Sequence, residues 1–370
     1  MLLKIIESKI NRTRAKFNEF LSLRLERNSP VLPVKIKLVA IAKDEAAYLP
    51  EWIFHHIYFG FDSINVYVNN TTDNTSDLQF SLRSLDNVNW FCGDAFFKKS
   101  SKSAQVEIYK HELKLSRRQK FTHVMFLDID EFWTPKNLNT QIKEFIGGSF
   151  DTDVLCFEWF NRTNEETPFS PAIQKRLTGY CGHHVKSLIS TKKFYEQINP
   201  HIAFSENARY MLANGTRYIF NSEQAGLVSK EQQDAPLKSA FIVHRMLRSE
   251  EEYLAILSRG RPYTRPEKSS IFKNNRDGYL TCKGDVSIEF PKEQLVKYVH
   301  ERDAFFEFYN LQNVMLTAHE SIKARRLEIV RLIGKAPLSE AETLKKILNK
   351  VKLPDVLDAY KEFKLLHKID

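Results

Sequence analysis

The sequence predicts an α/β fold with a mostly parallel central sheet, flanking helices and a helical segment at each end. Three observations carry that prediction. Short apolar runs alternate with helical stretches from Lys37 onward, the spacing of βαβ units. Several of those runs end in unusually polar tails, at Lys43-Asp44-Glu45, at Asn69 to Asp73 and at Asp128 to Glu131. Ligands of such sheets collect at the carboxyl ends of the strands. From about Pro291 the pattern is helical to the end.

A chain of 370 residues can bury a large core, which favours one large α/β domain with appendages. Apolar content of 42% and aromatic content of 12% exclude a mainly disordered protein. The formal charge of +9 calls for an anionic partner: nucleotide, polyanionic glycan, nucleic acid or an acidic membrane face. The basic residues are scattered and match no binding motif, which argues against nucleic acid. Cys92, Cys156, Cys181 and Cys282 form no C-x-x-C pair, so neither a zinc site nor a disulfide framework is indicated and a reducing compartment fits. Charges come too early for a secretory signal, and no uncharged apolar stretch reaches the ~18 residues of a spanning helix. The expectation is a cytoplasmic protein, with peripheral contact at the inner face of the membrane as one use of its charge.

Taken in order, residues 1 to about 28 read as a helix, with Leu3, Ile6, Ile10, Phe17 and Leu21 among Lys and Arg residues. Such a basic arm (1–32) can lie on anionic lipid, or pack on its own domain or a partner subunit. Leu38 to Ala42 is a buried strand. A helix follows from about Glu51 to Phe59 and stops at Gly60. Ser63 to Val68 and Val88 to Cys92 are further strands, and Ser103 to Gln119 is a long helix. The apolar run from Thr122 to Leu127 is a strand that ends on Asp128-Ile-Asp130, with Glu131 next. Asp153 to Phe160 is another strand, followed by an irregular region containing Lys175-Arg176 and Gly182 to Ser187. The run Ser239 to Arg245 leads into Ser249 and Glu252 at capping-box spacing. Ser339 to Glu342 caps one late helix and Pro354 starts another. The expected domains are the arm, residues 33–290, divided into a nucleotide-binding half (33–135) and an acceptor half (136–290), and a helical appendage, 291–370.

In a strand, side chains at i and i+2 share a face, so Asp128 and Asp130 would present two carboxylates to one point. Such a pair repels unless a cation sits between, and a hard divalent ion with a diphosphate is the usual answer. A solvated strand end is the competing reading of D-x-D by itself. With neither G-x-G-x-x-G nor G-x-x-x-x-G-K-[ST] in the chain, strand-end carboxylates and a metal are the route to a nucleotide.

Lys43-x-Glu45, Tyr48-Leu49-x-Glu51-Trp52, His55 or His56, Gly60, Asn70-x-x-Asp73, Gln105-x-x-x-Tyr109 and Asp128-Ile-Asp-Glu-Phe132 together resemble the opening of the GT-A glycosyltransferases of families 2 and 92. The resemblance spans roughly residues 36 to 135. It implies a Rossmann-like GT-A fold, a nucleotide-sugar donor such as a UDP-sugar, and manganese or magnesium on the D-x-D. On that analogy Asp44, Glu45 and Asp73 lie near base and ribose, and Asn70 and Gln105 are further donor-binding candidates. Asp128 faces the ribose or sugar, Asp130 holds the metal, and the two can share it through water. His244 is a further metal ligand or a phosphate contact, with a structural histidine as the competing reading, and Arg245 stands where family 92-like sequences carry Tyr.

Charge on the leaving diphosphate calls for cations, and Lys186, Arg245, Arg248 and Arg259 are the candidates. An inverting transfer also needs a base, for which Glu165, Glu166 and Glu158 are available. The expected function is metal-dependent, inverting transfer to a glycan or lipid-linked acceptor in lipopolysaccharide or capsule synthesis. A nucleotidyl or phosphoryl transferase and a basic nucleic-acid-binding or scaffold protein are the alternatives.

Overall fold

The computed structural model describes residues 33–99, 104–146, 152–221, 226–233, 237–259, 270–282 and 284–369. The basic arm, 1–32, lies outside the described residues. Residues Lys35–Asp370 make one compact unit.

The expected α/β architecture is present. The strands are β1 (Ile36–Ala42), β2 (Ser63–Val68), β3 (Val88–Cys92), β4 (His123–Phe126), β5 (Glu131–Pro135), β6 (Val154–Arg162), β7 (Arg176–Ser190), β8 (Gln197–Ile198), β9 (Ala203–Phe204), β10 (Tyr210–Leu212), β11 (Ala240–His244) and β12 (Val286–Glu289). The main sheet has the order β3-β2-β1-β4-β7-β6-β11-β5, with β10 on β6 and β12 on β7. Its pairings make it mostly parallel: β5 and β7 run against the other strands. The carboxyl ends of β1, β2, β4, β6 and β11 therefore share one edge, where the polar tails converge.

The helices are α1 (Leu49–Tyr58), α2 (Thr75–Ser81), α3 (Asp94–Lys99), α4 (Ala104–Arg118), α5 (Lys230–Gln233), α6 (Glu250–Leu257), α7 (Lys292–Phe308), α8 (Leu311–Gly334), α9 (Ala341–Ile347) and α10 (Pro354–His367). Every residue of α1 is buried. Its His55 bonds the Trp133 carbonyl at 2.8 Å and the Tyr298 hydroxyl of α7 at 2.9 Å, and burial pushes its pKa down to about 3. His56 bonds the Trp52 carbonyl and receives the Trp133 N–H, so both histidines join layers of the core. On α4, buried Glu112 accepts from Lys37 at 3.3 Å, Asn65 at 3.1 Å and Tyr67 at 2.6 Å, which satisfies a charge that would otherwise be costly to bury. The late helices pack on α6 through Tyr253, Leu254, Leu257, Ile329, Ile333, Val356 and Phe363.

Three local expectations are corrected. The region read as irregular after Glu166 contains β7, the longest strand, formed because β4 and β6 pair with its two edges. Asp128 and Asp130 lie in a turn and not on a strand: β4 ends at Phe126, and the Glu131 N–H closes on the Asp128 carbonyl at 3.0 Å. Ser339 caps no helix. It lies within a 3-10 turn, Leu338–Glu340, because the Glu340 carboxylate is drawn to Ser270 and the Ile271 N–H. The Ser249–Glu252 capping box on α6 and Pro354 at the start of α10 are as the spacing predicts.

Candidate active site

The D-x-D turn is placed by backbone pairing. β5 leaves the turn antiparallel to β11, opposing Glu131 to His244, and the Arg245 N–H donates to the Asp130 carbonyl at 2.8 Å. β6 lies on the other side of β11 and sets Asn161 opposite His244. Behind the turn, the Trp52 indole N–H is shared between the carbonyls of Asp128 (3.1 Å) and Glu131 (2.9 Å).

This register brings Asp130 and His244 together, with Oδ2 and Nε2 3.7 Å apart. The Nδ1 of His244 bonds the Asn161 side-chain oxygen at 2.8 Å, which fixes the ring with Nε2 turned toward Asp130. The space accepts no larger neighbour: a Cβ on Gly182 would come within 2.5 Å of the Asn161 amide nitrogen. Burial works to raise the Asp130 pKa, but the His244 imidazole and then the Arg248 and Arg276 guanidiniums hold it well below the usual carboxylate range. A carboxylate and an imidazole at this spacing fit two positions of a divalent ion with bonds of about 2.1 Å. Among the described residues no group of three or more His, Cys, Asp or Glu side chains gathers at metal-ligand spacing, so remaining positions would fall to water or substrate oxygens.

Asp128 is turned differently. Its carboxylate meets the buried ammonium of Lys186 on β7 at 3.1 Å, and the same ammonium pairs with Glu131 at 2.8 Å. Burial opposes that charge, yet the two carboxylates hold Lys186 protonated. Lys186 therefore neutralises the base of the turn.

At the end of β1, Asp44 has left-handed backbone (φ 52°) and its carboxylate accepts from the Thr72 N–H at 2.6 Å. Asp73 accepts from the Ala46 N–H at 2.9 Å and from Thr75 at the start of α2. Asn70 (φ 41°) donates its N–H to Asp94 at 2.8 Å, and Gln105 donates to the Tyr109 hydroxyl at 2.8 Å. Asp44 and Asp73 thus tie the first two strand ends into one loop pair, while Asn70 and Gln105 bond outside it.

Cations from far along the chain close over this loop pair. Arg248, also left-handed (φ 57°), lies 3.3 Å from Glu45 and over the Tyr48 ring; Arg259 lies 2.8 Å from Glu45 and Arg325 of α8 3.3 Å from Asp44. Arg276 and Lys273 are electrostatic neighbours of Asp130. Burial, then Arg259 and Arg276, push the Lys273 pKa down to about 7. The buried Nε atoms of Arg248, Arg276 and Arg325 have no hydrogen-bond partner among the described residues. Lys273, Arg276 and Arg325 were not among the sequence candidates. They lie far from the motifs, and only their basic character could have signalled them.

Two expected roles meet competing partners. Arg245 points its guanidinium into a buried cluster, donating to Glu165 at 2.9 Å and to the Ser170 carbonyl at 2.5 Å, with Glu51 at 3.8 Å. Burial raises the Glu165 pKa, but Arg245 and then Arg162 take it below the usual value. Arg245 and Glu165 are consequently occupied with each other and are not presented to Asp130, because the segment after β6 folds back over α1. Glu158 lies 3.9 Å from Lys238, and Glu166 is exposed on the loop after β6.

The family model described as Glycosyltransferase family 92 matches residues 39–244, more than half of the chain. No curated protein matches. Among solved structures, the apo WbbM bifunctional glycosyltransferase is 19% identical over 35% of this chain and 24% of its own, with a TM-score of 0.26. S. aureus TarS is 15% identical over 43% of this chain and 28% of its own, with a TM-score of 0.28. The chain spans about a quarter of the length of these two. The 1-349 form of TarS is 11% identical over 90% of this chain and 92% of its own, with a TM-score of 0.33.

Proposed function

The chain belongs to glycosyltransferase family 92, and from that premise we propose that it moves a sugar from a UDP-sugar to a glycan or lipid-linked acceptor in lipopolysaccharide or capsule assembly. The observation that carries the donor reading is a trio of arginines, buried Arg248 and half-buried Arg276 and Arg325, whose buried Nε atoms lack acceptors among the described residues beside Asp44, Glu45 and Asp130. An unsatisfied buried N–H costs roughly 1–3 kcal/mol, and diphosphate oxygens would satisfy several at once.

Breaking the bond from sugar carbon to phosphate leaves negative charge on the departing oxygen. Arg248, Lys273 and Arg276 provide positive charge already in position there, with little reorganisation during the reaction. Asp130 and His244 are the residues that would hold manganese or magnesium, which supplies Lewis-acid stabilisation to the same oxygens. Asp128, steadied by Lys186, faces the ribose or sugar. The loop pair built on Asp44 and Asp73 receives base and ribose. For an inverting transfer the proton of the acceptor hydroxyl goes to Glu166, the one of the three carboxylates considered that is not held by a cation among the described residues.

The division into residues 33–135 for the donor, 136–290 for the acceptor and 291–370 as helical appendage belongs to this reading. So does peripheral docking of the cytoplasmic protein through the basic arm. No helix among the described residues is long and apolar enough to cross a membrane. A thermal-shift panel of nucleotide sugars with and without manganese tests the reading. A metal-dependent shift with one UDP-sugar is expected; no shift with any donor contradicts it.

A further inference from the structure

Beside the Asp130–His244 pair lies a group of rings that the donor chemistry does not use. Trp159 of β6 packs its indole 4.1 Å from the His244 imidazole, 4.9 Å from His184 and 5.2 Å from His201, and the last two rings are 4.7 Å apart. Trp159, His184 and His201 are each only partly buried, whereas His244 beneath them is buried. The indole Nε1 of Trp159 is buried and has no acceptor among the described residues. The Nδ1 of His201 lies 3.2 Å from the Val185 carbonyl, which can only accept, so the hydrogen sits on Nδ1 and Nε2 is left as an acceptor. The nearby cation, Lys186, is taken up by Asp128 and Glu131.

We propose that Trp159, His184 and His201 form the acceptor subsite, and that it takes an uncharged pyranose ring. The inference rests on the family reading in treating Asp130 and His244 as the reaction centre. A flat aromatic face covers the C–H face of a sugar, and a few fixed polar atoms orient its hydroxyls. Here the Trp159 N–H gives one bond and His201 Nε2 receives another. The donor side, by contrast, is lined with guanidiniums and suits a diphosphate. The two halves of the site thus differ in charge as the two substrates do. Gly182, opposite Trp159 in the β6–β7 register, allows the ring layer to sit against the sheet.

The test uses the full chain labelled with nitrogen-15. Its four tryptophans give four indole signals, and the Trp159→Phe variant identifies the one of interest. The probes are methyl glycosides of glucose, galactose, mannose and N-acetylglucosamine, with methyl glucuronide and inorganic phosphate as charged controls. At least one neutral glycoside should move the Trp159 signal while those of Trp52 and Trp133 stay in place. Its affinity should fall about tenfold in Trp159→Ala and a few-fold in Trp159→Phe. A Trp159 signal that no neutral glycoside moves, or that moves only with glucuronide or phosphate, overturns the proposal. UDP binding by calorimetry is measured on the same samples and should be equal within about twofold in wild type and Trp159→Phe. Absence of UDP binding to wild type would sink the donor reading and leave the glycoside titration to decide this one.

Discussion

Replacing Lys273 by methionine separates what the cation cluster costs the free protein from what it contributes to donor binding. Burial, Arg259 and Arg276 bring its pKa from 10.5 to about 7. That amounts to roughly 5 kcal/mol against the charged form, and to a few kcal/mol once partial exposure is allowed for. The folded value lies below the unfolded one, so between about pH 7 and 10.5 the folded chain binds fewer protons than the unfolded chain and its stability rises with pH. Lys273→Met removes that slope and should be the more stable protein at pH 6, by a few kcal/mol in urea titrations. Donor binding has the opposite sign. The free ammonium is about nine-tenths charged at pH 6 and about one-tenth at pH 8, so affinity for a UDP-sugar should fall roughly tenfold, about 1.4 kcal/mol, over that interval. Calorimetry at both values checks this, since a diphosphate diester does not itself titrate there. An equal pH dependence in wild type and Lys273→Met would refute the assignment of Lys273 to the diphosphate.

Other substitutions probe the frame. Trp52→Phe removes the N–H shared by the Asp128 and Glu131 carbonyls and should cost roughly 1–3 kcal/mol in chemical denaturation, with weaker manganese binding. Glu165→Gln leaves Arg245 buried without its main partner and should destabilise by about 3–5 kcal/mol, with Glu165→Gln/Arg245→Met costing less than the sum of the single changes. A Glu165→Gln protein of unchanged stability but lost turnover would instead make Glu165 the base. Gly182→Ala drives a methyl against the Asn161 amide that orients His244, and manganese affinity should fall about tenfold or more.

The first half of the sheet was legible because each element carries its own signal. β1, β2 and β4 are apolar runs with polar ends, and α1 is bounded by Pro50 and Gly60. The carboxylates at the strand ends were legible for the same reason. β7 was not: Gly179, Gly182 and paired histidines break its pattern, and its extended form comes from β4 and β6 on either side. The turn geometry of Asp128 and Asp130 was hidden as well, because the Asp128 N–H is held by the Glu131 carboxylate at 2.8 Å and by nothing an alternation rule can express. Long-range partners were the least accessible. Arg325 lies on a helix that reads as a plain basic appendage, yet it reaches Asp44; Arg245 reads as a phosphate ligand, yet Glu165 holds it.

In the proposed site Asp130 and His244, and not the D-x-D carboxylates as a symmetric pair, would hold the divalent ion beside the diphosphate. Manganese binding followed by electron paramagnetic resonance in the presence of UDP tests it on wild type, Asp128→Asn, Asp130→Asn and His244→Ala. Asp130→Asn and His244→Ala should lose manganese binding by about tenfold or more with the fold retained, and Asp128→Asn should lose less. Manganese bound as tightly by Asp130→Asn as by wild type would rule out Asp130 as the metal ligand.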